Sequence, residues 1–218
     1  MKQLSTLTII VLILFIQPLS AQGDLQIYKT NNSSLTSNDI TSLAYDSQGN
    51  VWIGTANGIT LYNDGNWITY TTSNSNLVSN AIQAIMTTPQ GNVWVGTQSG
   101  ASYYNGSSWT NFTTSNSGIS SNAVRSLGYD NQGNIWLGTS GGGVNKYDGS
   151  AFTTYTSSDG LAHDFVQGIS QDTAGNMWFG TSIAISKLTP SGNWTTYDDS
   201  DGIPSTSLNT NTLATDSS

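Results

Sequence analysis

From Ile40 onward, short runs rich in Val, Ile, Trp, Tyr and Thr alternate with clusters of Gly, Asn, Asp and Ser. Residues 40–45, 51–55, 59–62 and 67–71 are four such runs. β-branched and aromatic runs bounded by turn residues read as strands. The separators are tight: Asp46-Ser47-Gln48-Gly49-Asn50, then Asn57-Gly58, then Asn63-Asp64-Gly65-Asn66. Gly, Asn and Asp tolerate the positive φ that short hairpin turns require. No segment between them has room for a helix, so the pattern predicts a four-stranded antiparallel meander.

That meander repeats. The heptapeptide Gly-Asn-Val-Trp-Ile-Gly-Thr at Gly49 returns, with conservative changes, at Gly91, Gly133 and Gly175, always 42 residues on. A fixed period in this range signals a repeat architecture. The second repeat places strands at 82–87, 93–97, 101–105 and 109–113. The third runs over 124–156 and the fourth over 165–197. An extra glycine in Gly141-Gly142-Gly143 falls in a turn, where a meander tolerates it.

Each predicted sheet is apolar on both faces, with Val51 and Ile53 pointing one way and Trp52 the other. It must be covered on both sides. Radial stacking of like sheets about an axis achieves this with only short edges left over. The predicted fold is therefore an all-β, four-stranded-blade β-propeller. Trp52, Trp94, Trp136 and Trp178 are expected between blades, where each removes ~150–250 Å² from water. Gly54, Gly96, Gly138 and Gly180 share their face, and a strand glycine admits close approach of a neighbour.

The blades are expected at residues 35–76, 77–118, 119–160 and 161–202. Residues 22–34 carry the outer strand of a closing blade, since Tyr28 lies one period before Tyr70. Residues 203–218 begin a further, incomplete blade with an inner strand over 208–216. This predicts four complete blades within a larger ring, able to self-associate through the incomplete blade. A closed four-bladed ring is the alternative.

Composition narrows the setting. Only 8% of residues are charged, against about 25% in ordinary domains. All acids are Asp, and the net charge is −8. An acidic chain without a basic stripe is a poor match for nucleic acid. The absence of cysteine excludes disulfides and thiolate metal sites. Residues 1–21 read as a signal peptide: Lys2, an apolar run from Leu7, Pro18, and small residues ending at Ala21. An exported protein is expected, in the periplasm, at the cell surface or secreted.

The repeat resembles the two-component regulator propeller repeat. The shared pattern here is Ile40, Leu43, Asp46, Gly49-Asn50-Val51-Trp52-Ile53-Gly54-Thr55, Gly58-Ile59 and Tyr62, with connectors Asp159-Gly160-Leu161 and Asp201-Gly202-Ile203. The resemblance implies an exported sensor that binds an extracellular ligand, often a glycan, with a signalling domain expected beyond Ser218. The Gly-Asn-x-Trp turn is also similar to that of streptogramin lyases. Those enzymes use His, Glu and magnesium, whereas this chain has one histidine, His163, and no Glu. A binding module is favoured over an enzyme, with no cofactor. A structural or protein-interaction propeller of a surface or secretion apparatus is the alternative.

In a propeller, the loops entering each innermost strand gather at one mouth of the central channel. Asn38, Asp39, Asn80, Asn122, His163 and Asp164 lie in those loops. Thr41, Gln83, Arg125 and Gln167 occupy one repeating position on the inner strands, polar and varied between apolar neighbours. These ten residues form the candidate ligand site. The Asn side chains suit sugar hydroxyls, or caps for backbone groups. Arg125 suits a carboxylate or a nearby Asp39 or Asp164. The Asp198–Asp201 cluster is a weak Ca²⁺ candidate through Asp199 and Asp201, or a solvated connector.

Overall fold

The computed structural model describes residues 26–203. The expected signal peptide and the inner strand read over 208–216 lie outside the described residues.

Sixteen strands form four sheets among the described residues. The first sheet is β1 (Ile40–Tyr45), β2 (Val51–Thr55), β3 (Gly58–Asn63) and β4 (Asn66–Tyr70). The second is β5 (Ile82–Thr87), β6 (Val93–Thr97), β7 (Gly100–Tyr104) and β8 (Trp109–Phe112). The third is β9 (Val124–Tyr129), β10 (Ile135–Thr139), β11 (Val144–Tyr147) and β12 (Phe152–Tyr155). The fourth is β13 (Val166–Gln171), β14 (Met177–Thr181), β15 (Ile185–Leu188) and β16 (Trp194–Tyr197). Each sheet is an antiparallel meander in chain order. The sheets fan about their inner strands: β1 packs on β5, β5 on β9, and β9 on β13. The fourth blade does not close on the first to complete a ring among the described residues.

The repeated heptapeptide builds both the hairpin and the blade junction. Asp46 turns the chain by accepting the backbone N–H groups of Gln48 and Asn50 on Oδ1, at 3.0 and 2.9 Å. Gly49 takes φ of 88°, which a side chain would strain. On Oδ2, Asp46 then accepts the Trp52 indole N–H at 3.0 Å. A buried indole N–H needs such a partner. Asp130 serves Trp136 and Asp172 serves Trp178 in the same way, both at 2.8 Å. In these three blades the motif thus locks the Trp against its own turn.

The next blade then closes over it. Trp52 and Ile59 bury with Leu77, Ile82 and Ile85 of the second blade. Trp94 buries with Ile119 and Val124 of the third, and Trp136 with Leu161, Val166 and Phe179 of the fourth. The glycine two residues after Trp52, Trp94 or Trp136 is the contact point. A Cβ on Gly54 would lie 2.6 Å from Ile82, and one on Gly96 would lie 2.9 Å from Val124.

Two expectations need adjustment. Residues 26–29 form no strand, although residues 25–28 read as one. A strand exists only against a hydrogen-bonded neighbour, and no described strand pairs with this segment. Tyr28 still takes the place of Tyr70: it packs on Tyr62 and Trp67 at 5.4 and 5.0 Å between ring centres, as Tyr70 packs on Tyr104 and Trp109 at 5.5 Å each. The third and fourth strands also start a residue early in places, at Gly58, Asn66 and Gly100.

Candidate functional site

The inner strands carry an irregularity that the hydrophobic pattern does not reveal. Pairing of β1 with β2 skips from Ile40 to Ser42. The same break falls between Ile82 and Ala84, between Val124 and Ser126, and between Val166 and Gly168. The residues left over are Thr41, Gln83, Arg125 and Gln167. All four members of the polar ring are the extra residues of β-bulges. A bulge re-aims one side chain and leaves its neighbours in the ladder, so a polar group can point inward between apolar positions that face adjacent blades.

Thr41, Gln83 and Arg125 line a cavity of about 320 Å³ on the inner strands, together with Ser42, Ser126 and Gly168. Arg125 donates from Nη1 to Gln83 Oε1 at a long 3.3 Å. Its guanidinium carbon stands 5.6 Å from the centre of the Phe165 ring. Its Nε is buried without a hydrogen-bond partner, and so is Oε1 of Gln167. Among the described residues no carboxylate reaches Arg125, so neither Asp39 nor Asp164 pairs with it. An unpaired buried donor and an unpaired buried acceptor are costly, at ~1–3 kcal/mol each.

The loop residues do other work. Asn38, Asn80 and Asn122 each accept a backbone N–H eight residues back, from Thr30, Thr72 and Thr114, at 2.9, 2.8 and 2.8 Å. Asp164 accepts the Ser157 N–H, seven residues back, at 2.6 Å. These side chains tie the incoming connector to the inner strand. Asp39 has its backbone N–H held by Ser37 Oγ at 3.0 Å.

His163 stands where the other blades place Ser37, Ser79 or Ser121. Those hydroxyls accept the N–H two residues on, at 3.0, 3.2 and 3.3 Å. His163 Nδ1 accepts that of Phe165 at 3.0 Å and also lies 2.9 Å from Ser182 Oγ. A nitrogen accepting a backbone N–H is the unprotonated one, so the ring carries its proton on Nε2 and Ser182 donates. The sequence marks no serine in reach of His163; the fold supplies Ser182 from the β14–β15 turn. Since Nδ1 already accepts the backbone, the pair holds a turn more readily than it activates a nucleophile.

The Asp198–Asp201 cluster is a capped turn. Asp198 accepts Ser200 N–H, and Asp201 accepts Asp198 N–H, at 2.9 and 3.1 Å. The hydroxyl and backbone N–H of Ser200 hold the Asp198 carboxyl below its ordinary range. No group of three metal-binding side chains occurs among the described residues.

The profile of the two component regulator propeller matches residues 34–57, 76–99, 118–141 and 160–182. Each match spans one connector, one inner strand with its bulge, the turn that carries Asp (Thr88 in the second blade) and the Trp strand. The repeats belong to the two component regulator propeller family. Among solved structures, the chain is similar to the extracellular domain assigned to a hybrid two component system of B. thetaiotaomicron. They are 22% identical with a TM-score of 0.66, over 76% of this chain and 26% of that one. It is also similar to virginiamycin B lyase from Staphylococcus aureus, at 19% identity and TM-score 0.59, over 73% and 55% of the two chains. A third likeness is to PorZ, a bacterial surface component of the type-IX secretion system of Porphyromonas gingivalis, at 20% identity and TM-score 0.52, over 70% and 24%. At these identities the likeness is one of fold. This chain spans about a quarter of the hybrid two component structure. A search of curated proteins finds no match.

Proposed function

We propose that this chain is an exported, ligand-binding propeller, the extracytoplasmic sensor portion of a two-component-type regulator or a secreted relative. Its bulge ring recognises a carbohydrate or another small extracellular ligand in the channel. The observation that carries this reading is the unpaired Arg125 Nε, buried on the inner strands, with a second unpaired buried atom, Gln167 Oε1, at the equivalent position of the next blade. A guanidinium without a carboxylate in a chain of net charge −8 is poised for a carboxylate-bearing ligand such as an acidic sugar. Family membership supports the sensor role, and the leader-like residues 1–21 support export.

A glycan array probed with the full chain and with Arg125→Ala tests this. Retention of an acidic glycan, weakened about tenfold or more in the variant, is expected for loss of one charge-assisted contact. Equal retention by both proteins, or none by either, contradicts it.

One observation favours a protein-interaction role instead. Leu43 and Tyr45, on the side of the first blade turned away from the second, are 47% and 63% exposed. An exposed apolar pair on an inner strand suits contact with another protein surface. The likeness to PorZ is consistent with that alternative. The lyase reading has little behind it, because Nδ1 of His163 is occupied by the Phe165 backbone.

A further inference from the structure

The Asp turn is broken in one blade, and the break frees a site. In the first, third and fourth blades the Asp carboxylate accepts two side-chain donors. One is the Trp indole; the other is the Asn amide, from Asn50, Asn134 or Asn176, at 2.8 Å in each. In the second blade Thr88 stands in place of Asp. Its hydroxyl accepts only the Asn92 backbone N–H, at 3.3 Å. Trp94 Nε1–H and Asn92 Nδ2–H therefore have no protein partner among the described residues, and both reach solvent in the cleft although the rest of Trp94 is buried. Both residues line a cleft of about 370 Å³ between the second and third blades. The strand ends place it on the face away from the channel mouth.

The cleft is open where its counterparts are narrowed. Between the first and second blades, Gln48 lies over Gly91, 2.6 Å from where a Cβ would sit. The matching Gly133 meets only the hydroxyl of Tyr129, at 3.8 Å. Between the third and fourth blades, Lys146 covers the Trp136 ring at 5.5 Å, and the space shrinks to about 150 Å³. The second blade has Tyr103 where the third has Lys146. The walls of its cleft include Tyr103, Phe112 and Tyr147, and no charged side chain lines it.

We infer that this cleft is a second binding site, for a neutral polyhydroxylated ring such as a pyranose. Two unpaired N–H donors call for acceptor oxygens. Aromatic walls suit the C–H face of a sugar ring. The uncharged lining, in a chain of net charge −8, disfavours an anion. The volume falls in the ~300–1,000 Å³ range of small-molecule sites. This site is independent of the channel ring.

The test is an NMR titration of the ¹⁵N-labelled full chain with cellobiose, maltose, myo-inositol and glucuronate, read at the Trp94 indole N–H. That resonance is assigned by its loss in Trp94→Phe. At least one neutral probe is expected to shift it saturably. Thr88→Asp, which restores the acceptor found in the other three blades, should fold and should weaken that binding at least tenfold, while Arg125→Ala leaves it unchanged. The inference fails if no neutral probe shifts the resonance, if Thr88→Asp responds like the parent chain, or if glucuronate binds more tightly than every neutral probe. Failure of Arg125→Ala to affect acidic glycans leaves this result standing, so the two sites are judged separately.

Discussion

The inner strands of the first and fourth blades, β1 and β13, hold the same place in the same meander, yet they are buried differently. Leu43 on β1 pairs with Ile53, as Ile169 on β13 pairs with Phe179. Ile169 is 8% exposed and Leu43 is 47% exposed. The hydrogen-bond ladders match, so pairing is not the cause. Ile169 packs into the third blade, meeting Gly128 and Trp136, while among the described residues no blade stands before Leu43. Burial in this fold is conferred by the neighbour, and the repeat supplies only a surface that fits one.

The opposite faces extend the lesson. Trp52, Trp94 and Trp136 each meet a ring from the following blade, namely Tyr104, Tyr147 and Phe179, at 5.5–5.7 Å. Trp178 keeps its Asp bond but stacks only on Tyr197 of its own blade among the described residues, with Lys187 over it at 5.5 Å. It is half-buried, whereas the other three are 3% exposed. Truncating the two kinds of Trp separates neighbour packing from the turn bond. Trp136→Ala is expected to cost about 3–5 kcal/mol in urea unfolding, as core aromatic truncations do. Trp178→Ala should cost less than half as much. Equal losses would mean that the turn bond, not the next blade, is the main source of stability.

Acid sharpens the comparison more gently. Hydrogen bonds from Asn176 and Trp178 hold the Asp172 carboxyl below its ordinary value. A carboxyl depressed on folding contributes stability that is present above the unfolded value of about 4 and lost as pH falls through the lower folded value. The fourth blade should therefore loosen below about pH 4, before any change near neutrality. The second blade has Thr88 in that place and should show no such local transition. Hydrogen exchange of β14 and β6 between pH 5 and 3 checks this. Simultaneous loss of protection in both strands would remove Asp172 as the cause.

The blades were legible because turn chemistry and strand alternation repeat four times and agree. The inter-blade glycines were legible for the same reason, since Gly54, Gly96 and Gly138 recur beside a bulky residue. The polar ring was visible as a position, but its cause was not. A bulge is a mismatch between two strands, and a single strand's sequence does not record its partner's register. The Asn cap bonds span eight residues through a connector whose path only the fold defines. The approach of Ser182 to His163 spans nineteen residues and a blade edge. The sequence carries Thr88 where the other repeats carry Asp, yet the two donors it frees appear only when the indole and amide are placed around it.

One paired measurement tests the claim that neighbours, not the repeats themselves, confer burial and stability. Ile169→Ala and Leu43→Ala remove comparable apolar groups from equivalent positions on inner strands. By urea denaturation of the full chain, Ile169→Ala should cost about 2–5 kcal/mol, and Leu43→Ala no more than about 0.5 kcal/mol, as an exposed substitution does. Losses that agree within error would show that each blade stabilises itself, and would contradict the account.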